Sequence, residues 1–473
     1  MALTQSPPLS LPTLPWAGIF DTPPETSETT VTDIEGAIPE GLVGTLYRNG
    51  PGRLDLADHL FDGDGMISKI IFGGDGTVRF ANRFVRTKKF ERETGASGPR
   101  VAGYGTRRSG GMLANALRAP SADSNAANTS VMFSAGRLLA LWEAGRPWQV
   151  DPDTLATLGE MDFDGALTAR LPFSAHPHWD PETREIFNFG MTYGPKNAIV
   201  TYRIDPEGRL HHLARVPVPA VYMNHDFALT SRYLVFCLGP VRARLLSLLS
   251  GRAAFGDSLR WHADEPTLVV LVPRDGGEAV TIEADPWFQF HFGGAFDDGD
   301  DVVVDLARYP DYPTIGDPLK QFRTADFEGV AGGLWRYRIS PARRSVVGSP
   351  VGDATIEFPH VDGRRATGGY RYTYGAAGTH GLLSAISRVD MESGAVASFD
   401  FGPGHIVSEP IFVPRPGGTA DDDGWLVGTV YNPGRRAGDG VVFDAHCVED
   451  GPVCTMRLPV NTGMSFHGTW RKG

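Results

Sequence analysis

The chain predicts an all-β fold of the propeller type, and three features carry that expectation. Short apolar runs alternate with Gly, Pro, Asp and Asn turns from Val31 onward, about every 8–12 residues, with no sustained helical period. The 58 glycines and 36 prolines in 473 residues supply the turn density that many short strands need. The third feature is a degenerate repeat around three histidines. Ala-His176-Pro runs through a turn into Ile186-Phe-Asn-Phe, Asn-His225-Asp runs into Leu234-Val-Phe-Cys, and Phe-His291-Phe runs into Val302-Val-Val-Asp. In each, a strand-like run starts 9 to 11 residues after the histidine. In a propeller the innermost strand of every blade lines one axis, so residues far apart in sequence converge there without a local motif.

Taken in order, residues 1–30 are rich in Pro, Ser and Thr and are read as an irregular arm. Two antiparallel meanders are plain: Ser130-Val-Met-Phe, Leu138-Leu-Ala-Leu-Trp and Trp148-Gln-Val, then Ala198 to Ile204 and Leu210 to Arg215. Two stretches break the pattern, 109–118 and 241–252. Each combines Leu or Met with Arg and reads as a short amphipathic helix suited either to packing on the propeller or to a lipid interface. The whole of 1–473 is expected to form one domain.

Composition excludes several classes. A net charge of −12 disfavours nucleic acid, since nothing replaces phosphate counterions on a large scale. Cys237, Cys447 and Cys454 lack zinc-type spacing and read as reduced thiols. No basic segment precedes Arg48 and no run of 18 apolar residues occurs, so a cytoplasmic protein is expected, with at most peripheral membrane contact through 109–118 and 241–252. Gly-x-Ser-x-Gly is absent, and Asp62-Gly-Asp64-Gly lacks the further ligand positions of a calcium loop.

The fourth notable histidine is His467, in Phe-His-Gly-Thr-Trp. Four imidazoles would close a tetrahedral zinc site, whereas on an octahedral ion they leave two positions open. An all-imidazole shell carries no charge of its own, which calls for carboxylates behind it. Glu143, Glu357 and Glu409 sit in apolar strand contexts unusual for Glu. The remaining histidines, among them His178 and His360, have no distinctive context.

At these residues the chain resembles the carotenoid cleavage oxygenases, and within them the apocarotenoid-cleaving branch. The resemblance rests on ordered blocks: Gly41-Leu-Val-Gly-Thr-Leu-Tyr-Arg-Asn-Gly-Pro-Gly, Phe61-Asp-Gly-Asp-Gly-Met, Leu138-Leu-Ala-Leu-Trp-Glu143, Ala175-His176-Pro, His225-Asp-Phe-Ala-Leu-Thr, Glu357-Phe-Pro, Glu409-Pro-Ile-Phe-Val-Pro and His467-Gly-Thr-Trp. It implies a seven-bladed β-propeller, with short helical inserts capping the metal-site face. It implies iron(II) held by His176, His225, His291 and His467, and supporting glutamates at Glu143, Glu357 and Glu409. The pairing expected is Glu143 with His225, Glu357 with His291 and Glu409 with His467, leaving His176 without a carboxylate. Thr129 matches a threonine whose methyl restricts an open iron position. Phe61, Trp142, Phe290 and Phe358 match aromatic positions on the substrate path. The implied reaction uses O₂ to split one double bond of a long apolar polyene into two carbonyl compounds, a retinal-type aldehyde among them. Two departures stand out. Gly294 replaces an Asn, which predicts a lost hydrogen bond, and Met223 with Asn224 reshapes the tunnel before His225. Rival expectations are a stilbene or full-length carotenoid cleaver, a propeller hydrolase or lactonase on another divalent ion, and a propeller that only binds pigment.

Overall fold

The apolar runs become strands whose two faces are both buried. In the hairpin Ser130–Ser134 with Arg137–Leu141, Val131, Leu138 and Ala140 pack toward Tyr47 and Ile67, while Met132, Leu139 and Leu141 pack the other way toward Phe173 and Tyr202. A buried Leu or Val contributes about 1.5–3 kcal/mol relative to exposure, so a strand covered on both sides reads as a continuous run rather than an alternation. Repeated around an axis, this arrangement gives a seven-bladed β-propeller.

The structure is a computed structural model and describes residues 14–115, 122–194, 196–324, 327, 330, 332–378 and 383–473. Blades 1 to 5 are four-stranded antiparallel sheets in simple sequence order. Their first and innermost strands are Ser130–Ser134, His178–Trp179, Ala228–Leu229, Phe288–Asp298 and Glu357–His360. Blade 6 is built on Ile406–Val407 and Ile411–Pro414, both paired to Gly424–Asn432, and borrows Ile34–Gly36 as its outermost strand. Blade 7 joins the two ends of the ring. His467–Lys472 is its inner strand, paired to Gly44–Arg53, with Asp64–Phe72, Val78–Phe84 and Thr26–Thr30 outside. Each pair of neighbouring blades shares its own apolar cluster, such as Val235, Val269, Val302 and Val304 between blades 3 and 4.

The repeat around His176, His225 and His291 is the passage from an inner strand through a turn into the second strand of its blade, at Ile186–Thr192, Tyr233–Leu238 and Asp301–Tyr309. His467 lacks that sequel because the second strand of its blade, Gly44–Arg53, comes from the other end of the chain.

Three expectations change. Residues 1–13 of the expected arm lie outside the described residues, and part of 14–30 is regular rather than irregular. Ala17–Phe20 forms a 3-10 turn with Ile19 and Phe20 buried, and Thr26–Thr30 joins blade 7. Of 241–252 only Leu245–Leu249 is helical, because Val241–Ala243 pairs with Leu259–Trp261 instead. Of 109–118 the helix is Gly111–Asn115, and 116–118 lie outside the described residues. Further helices at Phe255–Ser258 and Pro313–Lys320 were not anticipated. Among the described residues no helix is long and apolar enough to cross a membrane.

Candidate metal centre

Every blade contributes to the cluster of histidines and glutamates around the axis. His176, His225, His291 and His467 come from blades 2, 3, 4 and 7; Glu143, Glu357 and Glu409 come from blades 1, 5 and 6. One ring nitrogen from each histidine lies within 4.8 Å of all the others. His176 Nε2 and His225 Nε2 are 2.9 Å apart, and the buried Nε2 of His291 has no hydrogen-bond partner among the described residues.

The other ring nitrogens meet carboxylates. His291 Nδ1 is 2.6 Å from Glu357 Oε2, and Tyr309 donates to Glu357 Oε1 at 2.6 Å. His467 Nδ1 is 3.0 Å from Glu409 Oε1, while Glu409 Oε2 accepts from Gly468 N and from Arg48. Glu143 Oε1 is 3.1 Å from His225 Nδ1 and 3.4 Å from His176 Nε2. His176 was expected to have no carboxylate. Glu143 Oε1 stands 3.4 Å from its Nε2, the nitrogen turned to the cluster, and Asp226 Oδ1 stands 3.9 Å from its Nδ1, beyond hydrogen-bond reach.

Burial pushes the Glu409 carboxyl up, but His467 and Arg48 outweigh it and hold it at about 2. Glu143 behaves alike, His225 and His176 bringing it to about 2 against its burial. Burial depresses His467 to about 3 and lowers His225 as well, keeping both neutral as ligands must be. At His176 burial is outweighed by Asp226 and Glu143, which favour a positive charge at that point.

These residues fit a metal ion. The donor set is four neutral-capable imidazoles, one with its buried Nε2 unpartnered, backed by four carboxylates against the one guanidinium of Arg48. Four carboxylates against one guanidinium leave an excess of negative charge around the imidazoles, which favours a cation over an empty cluster.

Two cavities meet at this set. One, of about 450 Å³, is the apolar tunnel. Phe61, Trp142, Phe290 and Phe358 all line it, as do Thr129, Met223 and Asn224. Helical inserts close it through Leu248, Phe255, Ile315 and Leu319. Thr129 Oγ1 donates to Asn128 Oδ1, and Asn128 in turn donates to the carbonyls of Phe61 and Gly63, tying the metal side of the tunnel to its wall. Phe358 holds φ at 49°, a left-handed conformation a bulky residue rarely adopts, and its ring packs 4.7 Å from that of His291. The other cavity, of about 540 Å³, approaches from the opposite face past His178, Asp226 and His360.

The profile of the family described as retinal pigment epithelial membrane protein matches residues 19–472. The chain belongs to this family, the carotenoid oxygenases. Apocarotenoid-15,15'-oxygenase of Synechocystis sp. is 36% identical over 99% of both chains. Lignostilbene-alpha,beta-dioxygenase isozyme III of Sphingomonas paucimobilis is 31% identical over 93% of both. The crystal structure of cobalt-substituted Synechocystis ACO matches with a TM-score of 0.90 at 35% identity, covering 97% of this oxygenase and 98% of that chain.

Sequence reasoning left four participants of this oxygenase without a role. Arg48, 1% exposed, donates to Glu409, to the Phe466 carbonyl at 2.7 Å and to Ser465 at 2.9 Å. Tyr309 holds Glu357, and Phe466 lines the tunnel against Phe61. Asp226 is the fourth. A charge inside an apolar strand was the available signal for Arg48, and adjacency to His225 the signal for Asp226. At Gly294, a Cβ would stand 2.6 Å from Tyr370, whose ring fills that space and whose hydroxyl donates to Asp305, while Arg336 clamps both oxygens of that carboxylate.

Proposed function

We propose that this oxygenase uses iron(II) and O₂ to cleave one conjugated double bond of an apocarotenoid, giving two carbonyl products of which one is a retinal-type aldehyde. The observation that carries the reading is the set of four imidazoles, three of which (His225, His291 and His467) line an apolar, aromatic-lined cavity. A relative 36% identical over the whole chain, named for cleaving an apocarotenoid at 15,15', supports the substrate class. The balance is simple: C=C and O₂ become two C=O groups, so both oxygen atoms end in product and no external reductant is consumed.

His176, His225, His291 and His467 would hold the ion. Iron bound there would supply O₂ binding and electron transfer. The chain's own groups do the rest. Glu357 and Glu409 accept hydrogen bonds from Nδ1 of His291 and His467, and Glu143 faces Nδ1 of His225 at 3.1 Å, which favours the tautomer that turns Nε2 toward the centre. Thr129, its hydroxyl engaged by Asn128, narrows the space beside the ligands. Phe61, Phe290 and Phe358 orient the polyene across the metal, and the apolar lining excludes water from the reacting carbons.

A polyene of this kind resides in lipid. Leu246 is 85% exposed and Met112 48% exposed, on the short helices Leu245–Leu249 and Gly111–Asn115, and Leu248 of the former lines the tunnel. We read this rim as the patch that meets a membrane surface so that substrate enters without crossing water.

The test is product analysis. Iron(II)-loaded protein is given an apocarotenal under air and under nitrogen, and products are identified by mass. Two shorter carbonyl compounds formed only under air, and abolished by His291→Ala, are expected. Turnover under nitrogen would point to hydrolysis. Cleavage of a hydroxystilbene in preference to the apocarotenal would move the substrate class toward that of the lignostilbene relative.

A further inference from the structure

Three of the four ligand histidines depend on one carboxylate outside the glutamate set. Asp226 follows His225 directly and is 4% exposed. Its Oδ1 accepts from Phe227 N at 2.7 Å, on its own strand, and lies 3.0 Å from His178 Nε2, two residues past His176 on blade 2. Its Oδ2 accepts from Phe292 N at 3.0 Å, the residue after His291 on blade 4. One buried carboxylate is therefore anchored within two residues of His176, His225 and His291, on three consecutive blades.

The contact with blade 4 falls at an irregular place. The pairing of Phe288–Asp298 with Asp301–Tyr309 shifts register between Gln289 and Phe292, and again between Phe292 and Gly294. Bulges re-aim a side chain and leave backbone groups outside the ladder. His291 stands in the first of these shifts, and the neighbouring N–H is taken by Asp226. The same carboxylate faces Nδ1 of His176 at 3.9 Å, the one ligand without a glutamate at that nitrogen. Glu143, Glu357 and Glu409 each act on ligand rings; Asp226 acts on the strands that carry them.

We propose that Asp226 is a positioning residue that sets the mutual spacing of His176, His225 and His291, with His178 as its link to blade 2. The role rests on the metal-centre part of the function proposed above and is independent of the substrate. It makes the ion's affinity and coordination geometry, not only the stability of the fold, depend on a residue that does not touch the ion.

The full-length protein, stripped of metal, is titrated with cobalt(II) against a competing chelator, and its visible absorption is recorded. Apo-protein thermal unfolding is measured in parallel. Asp226→Asn keeps the shape but turns one acceptor into a donor. It is expected to weaken cobalt binding about 10–100-fold and to shift the ligand-field bands. His178→Asn, which loosens one arm, is expected to move both readouts in the same direction by less. A lower apo unfolding temperature with unchanged cobalt affinity and spectrum would reduce Asp226 to a brace of the fold and overturn the role. If Asp226→Asn does not fold, His178→Asn decides by the same two readouts. Wild-type protein that takes up no cobalt would sink the metal centre itself, and the role of Asp226 with it.

Discussion

The two cavities that meet at the four histidines are made in different ways. The cavity on the Asp226 side is walled by the inner strands themselves, at His178, Asp226, Gly293 and His360. The tunnel is walled largely by what is inserted between strands: Phe61, Leu248, Phe255, Ile315 and Leu319. Ligand geometry is thus a property of the propeller, held by seven sheets at once, while substrate shape is a property of segments that can vary without moving a blade. The difference teaches where to look for each kind of change. Substitutions at the histidines and carboxylates around the axis should act on the metal, and substitutions in the inserts on the substrate; Phe290 and Phe358, on inner strands but lining the tunnel, belong with the second group.

The largest effect expected is that of His291→Ala. It removes one of the four imidazoles proposed to hold the ion, and metal content measured on purified protein should fall with product formation to background. Retained stoichiometric metal would break the division at its strongest point. Next comes Glu357→Gln, which leaves the ring of His291 without its 2.6 Å anion. Metal affinity by chelator competition should weaken about 10–100-fold with the fold intact. On the tunnel side, Phe61→Leu should leave metal affinity alone and raise KM about fivefold, since an aromatic contact is worth ~1 kcal/mol. Lost metal with unchanged KM would reverse the assignment.

A pH effect separates the two sides further. His59, beside Phe61 and Tyr104 in the tunnel wall, is pushed down by burial to about 3 from an ordinary 6.5. The unfolded chain then takes up its proton first as pH falls. Stability is therefore full above about 6.5 and is lost between 6.5 and 3, by up to ~1.4 kcal/mol per pH unit. Urea unfolding at pH 7 and pH 5 should show a smaller loss for His59→Asn than for wild type; equal losses would remove His59 from the account. The smallest effect is at the rim, where Leu246→Ser should reduce liposome co-sedimentation while leaving turnover of detergent-dispersed substrate unchanged.

Much of the propeller could be read from the chain because its strands are buried on both faces and its turns are rich in Gly and Asp. The Leu138-Leu-Ala-Leu run announces itself, and so does the His-to-strand interval, which is the width of an inner strand and its turn. Glu357 and Glu409 showed because carboxylates are out of place in Ile-Glu-Phe-Pro and Ser-Glu-Pro-Ile. What did not show depends on neighbours far along the chain. His178 has no local mark; only the fold sets it 3.0 Å from Asp226. The leucine-rich stretch at 241–252 reads as one helix until Leu259–Trp261 captures its first residues as a strand. The extent of the arm was misjudged for the same reason, since Thr26–Thr30 is polar and becomes a strand only beside Val78–Phe84.

Blade 7 makes the ring behave like a clasped bracelet. Asn49 lies opposite His467 in the closing ladder, and Arg48 ties that ladder to Glu409 of blade 6. An ion bound by His467 together with His176 and His225 would bridge the closing strand to blades two and three places round the ring, so opening the ring would mean breaking coordination bonds as well as the ladder. Binding energy for the ion would then add to the work of opening, in proportion to how far its free concentration exceeds the dissociation constant. In such a molecule, metal supply and lifetime in the cell are the same variable: a chain starved of its ion would be not only idle but unlatched, and first in line for proteolysis.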